Sequence, residues 1–171
     1  MQRNLTYAGI FLVLVLLQVF LLNNIMLSVY CYPLVYIAFI IVLPLDMRPV
    51  WVVLLSALLG LVMDMATGQA GLNVIATTAV GFFRPMIVST ICGRNLGIDD
   101  ALPTLRRFTT KNLVSYVIAV VFLHSAIYFL MESLSLIHIL HTLLRMLLSG
   151  AIATVLVWYI VRLIIDRIFK N

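Results

Sequence analysis

One aspartate stands among three glycines at the end of an apolar run, in the stretch GLVMDMATGQAGLN (60–73). Asp64 is open to three interpretations. It is a helix-terminal carboxylate that accepts hydrogen bonds from a turn, with Gly68 and Gly71 at positive φ. It is a functional carboxylate, because ionisable groups at membrane depth are costly and often functional. Or it is catalytic, which requires a histidine, lysine or metal ligand nearby, and the stretch contains none.

The residues nearest to a metal-ligand pattern are His138 and His141, with Glu132 a few positions before them. A zinc site needs a third good protein ligand, and this segment is expected to be only a short connector between two apolar runs. We therefore expect no metal site, no catalytic residues and no cofactor. His124 lies inside an apolar run and is expected to be packed or hydrogen-bonded.

A single arginine, Arg84, interrupts an otherwise uncharged run and is followed by Pro85. A charge at this depth in a span either snorkels to water and lipid phosphate or faces the helix bundle. In the bundle it would pair with a carboxylate, of which Asp46 is nearest by depth, or with carbonyls freed by a broken second span. Pro85 is expected to kink its helix and free further carbonyls.

The composition explains why these few polar residues stand out. The chain has 171 residues, of which 64% are apolar and 10% charged, with a mean hydropathy of +1.19. Soluble domains average roughly 45–50% apolar and about 25% charged, so we predict an integral membrane protein. The net charge of +5 comes from basic residues that flank apolar runs, which favours contact with membrane lipids over nucleic acid.

The apolar runs predict an all-α membrane protein with one domain, 1–171, and six transmembrane helices. Their expected bounds are 5–22, 26–45, 49–64, 72–91, 112–131 and 143–165. The second span is the least regular, because Pro33 and Pro44 bracket a stretch that is short for a full crossing. It is expected either to cross fully or to be a broken helix whose freed backbone groups find partners.

The basic residues predict the orientation of these spans. With six spans, nine of the eleven lysines and arginines fall on the side of both termini. Basic residues are retained in the cytoplasm, so both termini are expected to be cytoplasmic and the turn after Asp64 to face outward. A five-span arrangement would move Arg3 or a block of the other basic residues outside.

Small residues recur at helix-packing spacing, in Ser56-x-x-x-Gly60 and in the stretch 149–154 (SGAIAT). Such residues let helix backbones approach closely within lipid. They are expected to pack helices of this chain together or to receive the single span of a partner, and the sequence leaves both open.

The Gly-Asp stretch resembles MreD, the family of rod-shape-determining membrane proteins. An apolar helix ending G-x-x-x-D, a short glycine-rich turn, and a glycine followed by an apolar and a polar residue form that pattern. The residues that carry the resemblance are Gly60, Asp64, Gly68, Gly71 and Asn73. The later FFRP stretch (82–85) resembles the form of the family in which the fourth span carries an Arg-Pro pair.

The resemblance implies a non-enzymatic subunit of the bacterial cell-wall elongation complex in the inner membrane, regulating lateral peptidoglycan synthesis. It implies binding to MreC, with RodA, its transpeptidase and MreB as further partners. It also implies a fold similar to the substrate-binding subunits of energy-coupling-factor transporters.

That shared fold supplies the alternative function, a substrate-binding membrane subunit of such a small-molecule transporter. Tyr30, Tyr32, Tyr36 and Tyr128 are candidate pocket linings. The first span has only Ala8 and Gly9 as small residues, which disfavours docking on a transporter coupling protein. A membrane-embedded lipid enzyme ranks last, because the sequence lacks paired aspartates or a His-acid array.

Overall fold

The structure is a computed structural model that describes residues 2–23, 32–92, 108–133 and 139–167. All regular structure in these residues is helical, and no strand occurs among them. Numbered in chain order, the helices are α1 Gln2–Leu16, α2 Ala38–Val42, α3 Pro49–Thr67, α4 Leu72–Cys92, α5 Thr110–Ser133 and α6 Ile139–Arg167. A π-helical turn, Leu17–Leu22, continues α1.

Five of these helices are long and apolar enough to cross a membrane, judged by their length and composition. They correspond to the predicted first, third, fourth, fifth and sixth spans, and the predicted all-helical membrane class is confirmed at this level. The third span is three residues longer than predicted, because α3 continues from Asp64 to Thr67. The sixth is longer at both ends. At about 1.5 Å per residue, the 29 residues of α6 extend roughly 43 Å, beyond a hydrocarbon core of about 30 Å.

In the described part of the predicted second span, 26–45, the broken helix is found, one of the two expected alternatives. Residues 32–37 are not helical, and α2 has only five residues. Pro44 explains its end, because the residue before a proline is pushed out of the α region, and Leu43 is extended at φ −51°, ψ 145°. Residues 26–31 lie outside the described part of the chain.

Residues 32–44, hereafter the central segment, form the interior of the protein. Every residue from Pro33 to Leu43 is buried. The segment contacts α1, α3 and α6 through α2, and its side chains and carbonyls also meet α4 and α5. Non-helical backbone is tolerated at membrane depth only where protein encloses it, and the surrounding helices provide that enclosure.

Helices α3 and α4 form a tight hairpin through small residues. A Cβ at Gly60 would lie 2.6 Å from Val74 Cα and 2.7 Å from the Asn73 carbonyl oxygen. A Cβ at Gly81 would lie 2.9 Å from Ser56 Cβ. The spacing Ser56-x-x-x-Gly60 therefore packs two helices of this chain together.

The small residues of α6 are also used inside the chain. Ser149 and Ala153 are buried, and a Cβ at Gly150 would lie 3.8 Å from Ser125 Oγ of α5. Of the two uses that the sequence left open for this stretch, packing within the chain is the one that these contacts show.

Candidate functional site

Asp64 caps the beginning of α4. Its Oδ1 accepts hydrogen bonds from the Asn73 backbone N–H at 3.0 Å and from Asn73 Nδ2 at 2.8 Å, and its Oδ2 accepts from the Val74 N–H at 2.9 Å. The first N–H groups of a helix have no partner within the helix, and a carboxylate there is also favoured by the helix dipole. The carboxylate is 5% exposed, and three donors already occupy its oxygens.

Two glycines make the turn that brings Asp64 to α4. Gly68 ends α3 at φ 67°, and Gly71 precedes α4 at φ 88°. The Gly68 N–H and the Gln69 N–H both donate to the Asp64 carbonyl, the usual closure of a helix by a left-handed glycine. The first interpretation of Asp64, a carboxylate that bonds the backbone amides of the turn, is the arrangement found here.

The cap continues inward through Asn73. The Tyr36 hydroxyl of the central segment donates to Asn73 Oδ1 at 2.6 Å, and His124 Nε2 of α5 lies 3.0 Å from the same hydroxyl. The hydroxyl has one proton, which it donates to Asn73 Oδ1. Nε2 of His124 therefore donates the second hydrogen bond, to the hydroxyl oxygen. We call Asp64, Asn73, Tyr36 and His124 the Asp64 junction, which connects α3, α4, α5 and the central segment.

Aromatic rings extend this junction toward the end of α5. His124 and Tyr128 are stacked with ring centroids 6.3 Å apart, and Tyr128 is stacked on Tyr32 at 6.3 Å. The structure thus brings together three of the four tyrosines considered as pocket linings, while Tyr30 lies outside the described residues. These rings pack on one another, and Tyr36 and Tyr128 are buried.

Arg84 binds the other end of the central segment. Its Nη2 donates to the Leu43 carbonyl and its Nη1 to the Pro44 carbonyl at 3.2 Å, while Nε donates to the Tyr116 hydroxyl of α5 at 2.8 Å. The side chain is 4% exposed. Arg84 thus faces the bundle and binds the carbonyls of the broken segment. Its described partners do not include Asp46, which is exposed.

We call Arg84, Leu43, Pro44 and Tyr116 the Arg84 junction. Its chemistry follows from the carbonyls of Leu43 and Pro44, which lie just beyond the end of the short helix α2, where the helix dipole is negative. A guanidinium presents several N–H donors in a fixed fork. Pro85 follows Arg84 on the exposed side of α4, and the helix continues through it to Cys92.

Gln18 holds the beginning of the central segment. The side chain is completely buried, donates to the Pro33 carbonyl at 3.2 Å and accepts from the Val35 N–H at 2.8 Å. It lies in the π-helical turn, a distortion that is frequent at functional sites. Close by, the Tyr32 N–H donates to Ser149 Oγ of α6 at 2.9 Å.

The two junctions lie at different depths along the same two helices. Asn73 and Arg84 are 11 positions apart on α4, which corresponds to roughly 16 Å. On the antiparallel α5, His124 and Tyr116 are 8 positions apart, or roughly 12 Å. Tyr36 and Leu43, the residues of the central segment at the two junctions, are 7 positions apart.

The remaining candidate, the weak metal pattern, is only partly described. Glu132 forms an ion pair with Arg145 at 3.0 Å, with both side chains about one-third exposed. Among the described residues no group of three metal-ligating side chains could hold an ion. His138 lies outside the described residues.

Sequence reasoning missed Gln18 and Tyr116 as members of a polar interior and considered Tyr36 only as a candidate pocket lining. Gln18 carried a signal, because it is the strongly polar residue within the first apolar run. Tyrosines are a weaker signal of a polar interior, since an aromatic residue in a span usually packs against apolar neighbours or anchors at the membrane surface.

Comparison with known proteins supplies no relative: no protein-family model, curated protein or solved structure gives a significant match to this chain.

Proposed function

We propose that the chain is a non-enzymatic membrane subunit of the bacterial cell-wall elongation complex, a MreD-like protein that docks MreC. The observation that carries the proposal is the Asp64 cap. Because Asn73 and Val74 occupy the carboxylate oxygens, the Gly-Asp motif shapes a helical hairpin. A buried structural motif suits an assembly subunit better than an enzyme, which needs a carboxylate free to react.

The hairpin also offers a surface at one end of the bundle. The motif residues Gly60, Asp64 and Asn73 are buried, whereas Met65 is 78% exposed and Gly68 and Ala70 are exposed. In this proposal the buried residues hold the turn in shape, and the exposed tip contacts MreC. RodA with its transpeptidase and MreB are further partners in the same complex.

The proposed location is the bacterial inner membrane with both termini in the cytoplasm. The central segment completes a sixth crossing in this arrangement, and nine of eleven basic residues then fall on the cytoplasmic side, as the positive-inside rule requires. We extend the proposal to a fold similar to the substrate-binding subunits of energy-coupling-factor transporters, supported by the all-helical architecture.

Affinity purification from gently solubilised membranes tests this function. Tagged protein is expected to recover MreC and RodA, and its depletion is expected to round up rod-shaped cells. Asp64→Ala is expected to reduce recovery of MreC without abolishing membrane insertion, and Asp46→Ala, which removes an exposed carboxylate, serves as the control. Equal recovery of MreC with both variants would remove Asp64 from the docking role.

One observation favours the second candidate, the transporter subunit. Tyr32, Tyr36, Tyr128 and His124 form a polar aromatic cluster inside the bundle, and ligand sites combine aromatic surface with a few polar groups. The same purification separates the two candidates, because a transporter subunit would recover an ATPase component and leave MreC behind.

A further inference from the structure

The Asp64 junction and the Arg84 junction share the same three structural elements. Each joins the central segment to α4 and α5, through Tyr36, Asn73 and His124 in one and through Leu43, Arg84 and Tyr116 in the other. The central segment is therefore bound to the same pair of helices at two depths. Side chains of its neighbours, more than its own helical hydrogen bonds, fix where it lies.

Between the two junctions the central segment is packed without exposure. Residues 37, 38, 40 and 41 have no exposed surface, and Phe39 and Val42 have almost none. Val80 of α4 and Val117 and Val120 of α5, which lie between the junction residues along their own helices, are also completely buried. Close-packed interiors transmit displacement because they contain few voids that could absorb it.

We propose that the central segment is a strut that couples the two junctions, so that loosening the Arg84 junction also loosens the Asp64 cap at the other end. Arg84 is then a positioning residue for the Asp64 turn, to which it donates no hydrogen bond. The coupling runs from Leu43 through α2 to Tyr36 and from there to Asn73. This inference concerns the fold and does not depend on the proposed function.

Amide hydrogen exchange of the purified full chain measures this coupling directly. The reporters are the Asn73 and Val74 N–H groups, both held by Asp64. Arg84→Met removes the donors of the Arg84 junction, and Tyr116→Phe removes only the hydroxyl that accepts from Nε. Phe82→Leu is the matched control, because Phe82 lies on α4 two positions from Arg84 and is 67% exposed.

We expect Arg84→Met to increase exchange of the Asn73 and Val74 amides about fivefold or more, the ratio that corresponds to roughly 1 kcal/mol. Tyr116→Phe is expected to produce a smaller increase, about twofold or more, and it decides the question alone if Arg84→Met does not fold. Phe82→Leu is expected to leave the exchange unchanged. Wild-type exchange at both amides in Tyr116→Phe, with faster exchange confined to residues 38–44, would overturn the proposal.

Because Asn73 and Arg84 lie on the same helix, the coupling could also pass along α4. A double variant distinguishes that path from coupling through the central segment. Tyr36→Phe removes the hydroxyl that connects the central segment to Asn73. If the strut carries the coupling, adding Tyr116→Phe to Tyr36→Phe causes no further increase in exchange at Asn73 and Val74. An undiminished further increase would assign the coupling to α4 and overturn the proposed route.

Discussion

Asp64 and Arg84 carry opposite charges, but both are held in the interior of the protein by hydrogen bonds to backbone groups. Each is a nearly buried ionisable side chain, Asp64 in the last turn of α3 and Arg84 in the middle of α4, and each binds backbone groups in place of an opposite charge. The carboxylate accepts from the N–H groups that begin α4, and the guanidinium donates to the carbonyls that follow α2. Both match the sign of the helix dipole at the end that they bind.

The two sites differ in the sequence separation between the charged residue and its hydrogen-bond partners. The partners of Asp64 lie 9 and 10 residues away across one turn, whereas Arg84 binds residues 32, 40 and 41 positions away. The Asp64 cap can therefore form within one helical hairpin. The Arg84 junction forms only when α4, α5 and the central segment have assembled, so its loss should affect the folded bundle more.

The largest effect is expected from Arg84→Met. Two carbonyls and a buried hydroxyl lose their donor, and each unsatisfied group costs about 1–3 kcal/mol. We expect a loss of about 3 kcal/mol or more in the free energy of unfolding, measured by detergent denaturation in mixed micelles. Arg162→Met, at a site where the side chain is 58% exposed, is the control. Equal stability of the two variants would show that the Arg84 junction stabilises the folded bundle no more than an exposed arginine does.

Gly60→Ala tests the hairpin on which Asp64 stands. The new Cβ would lie within 2.7 Å of two backbone atoms of α4, so the helices must separate, at an expected cost of about 2 kcal/mol. Gly9→Ala is the matched control, because no described atom outside its own stretch of helix lies within 4 Å of the Cβ position there. Loss of stability in Gly60→Ala but not in Gly9→Ala, measured by the same denaturation, would show that the Asp64 site depends on the close contact between α3 and α4.

Asp64→Ala removes the cap without adding bulk. Three N–H donors lose their acceptor, and loss of a helix cap typically costs about 0.5–2 kcal/mol. We expect a loss of about 1–2 kcal/mol, smaller than for Arg84→Met, with faster amide exchange at the turn, at the start of α4 and in the central segment that is coupled to them. Faster exchange throughout the bundle would show that the Asp64 site is as long-range as the Arg84 site.

The smallest effect is expected from Gly68→Ala. Gly68 lies at φ 67°, and apart from its own chain neighbours no described atom lies within 4 Å of a Cβ there, so the substitution adds only backbone strain, about 1 kcal/mol. The turn is expected to persist with a slightly lower unfolding midpoint in thermal denaturation. A loss as large as that of Gly60→Ala would mean that conformation, and not close helix contact, dominates the hairpin.

Much of the fold was predictable because membrane-length apolar runs are recorded directly in the sequence. The spans that became α1, α4 and α5 were predicted to within a few residues, since hydropathy, Asn23 and the glycine turn mark their ends. The bonded state of Asp64 was one of the expected alternatives, because its partners are close in the chain.

The central segment could not be predicted in detail. Pro33 and Pro44 signalled a break, but the partners that make the break tolerable lie on other helices. Gln18, Ser149 and Arg84 each bind its backbone, and hydropathy does not record such distant contacts. For Arg84, the prediction left open whether its partner is a carboxylate or backbone carbonyls, since that depends on how α4, α5 and the central segment pack.

The central claim is that Arg84 is retained inside a span because it binds the ends of a broken segment. The most direct measurement compares Arg84→Met in two settings, membrane insertion of the isolated α4 segment (72–92) and stability of the folded chain. Removing a charge from the middle of a span favours insertion by about 2.5–3.5 kcal/mol, so we predict easier insertion together with a less stable folded protein. A variant that inserts better and is also more stable would contradict the claim.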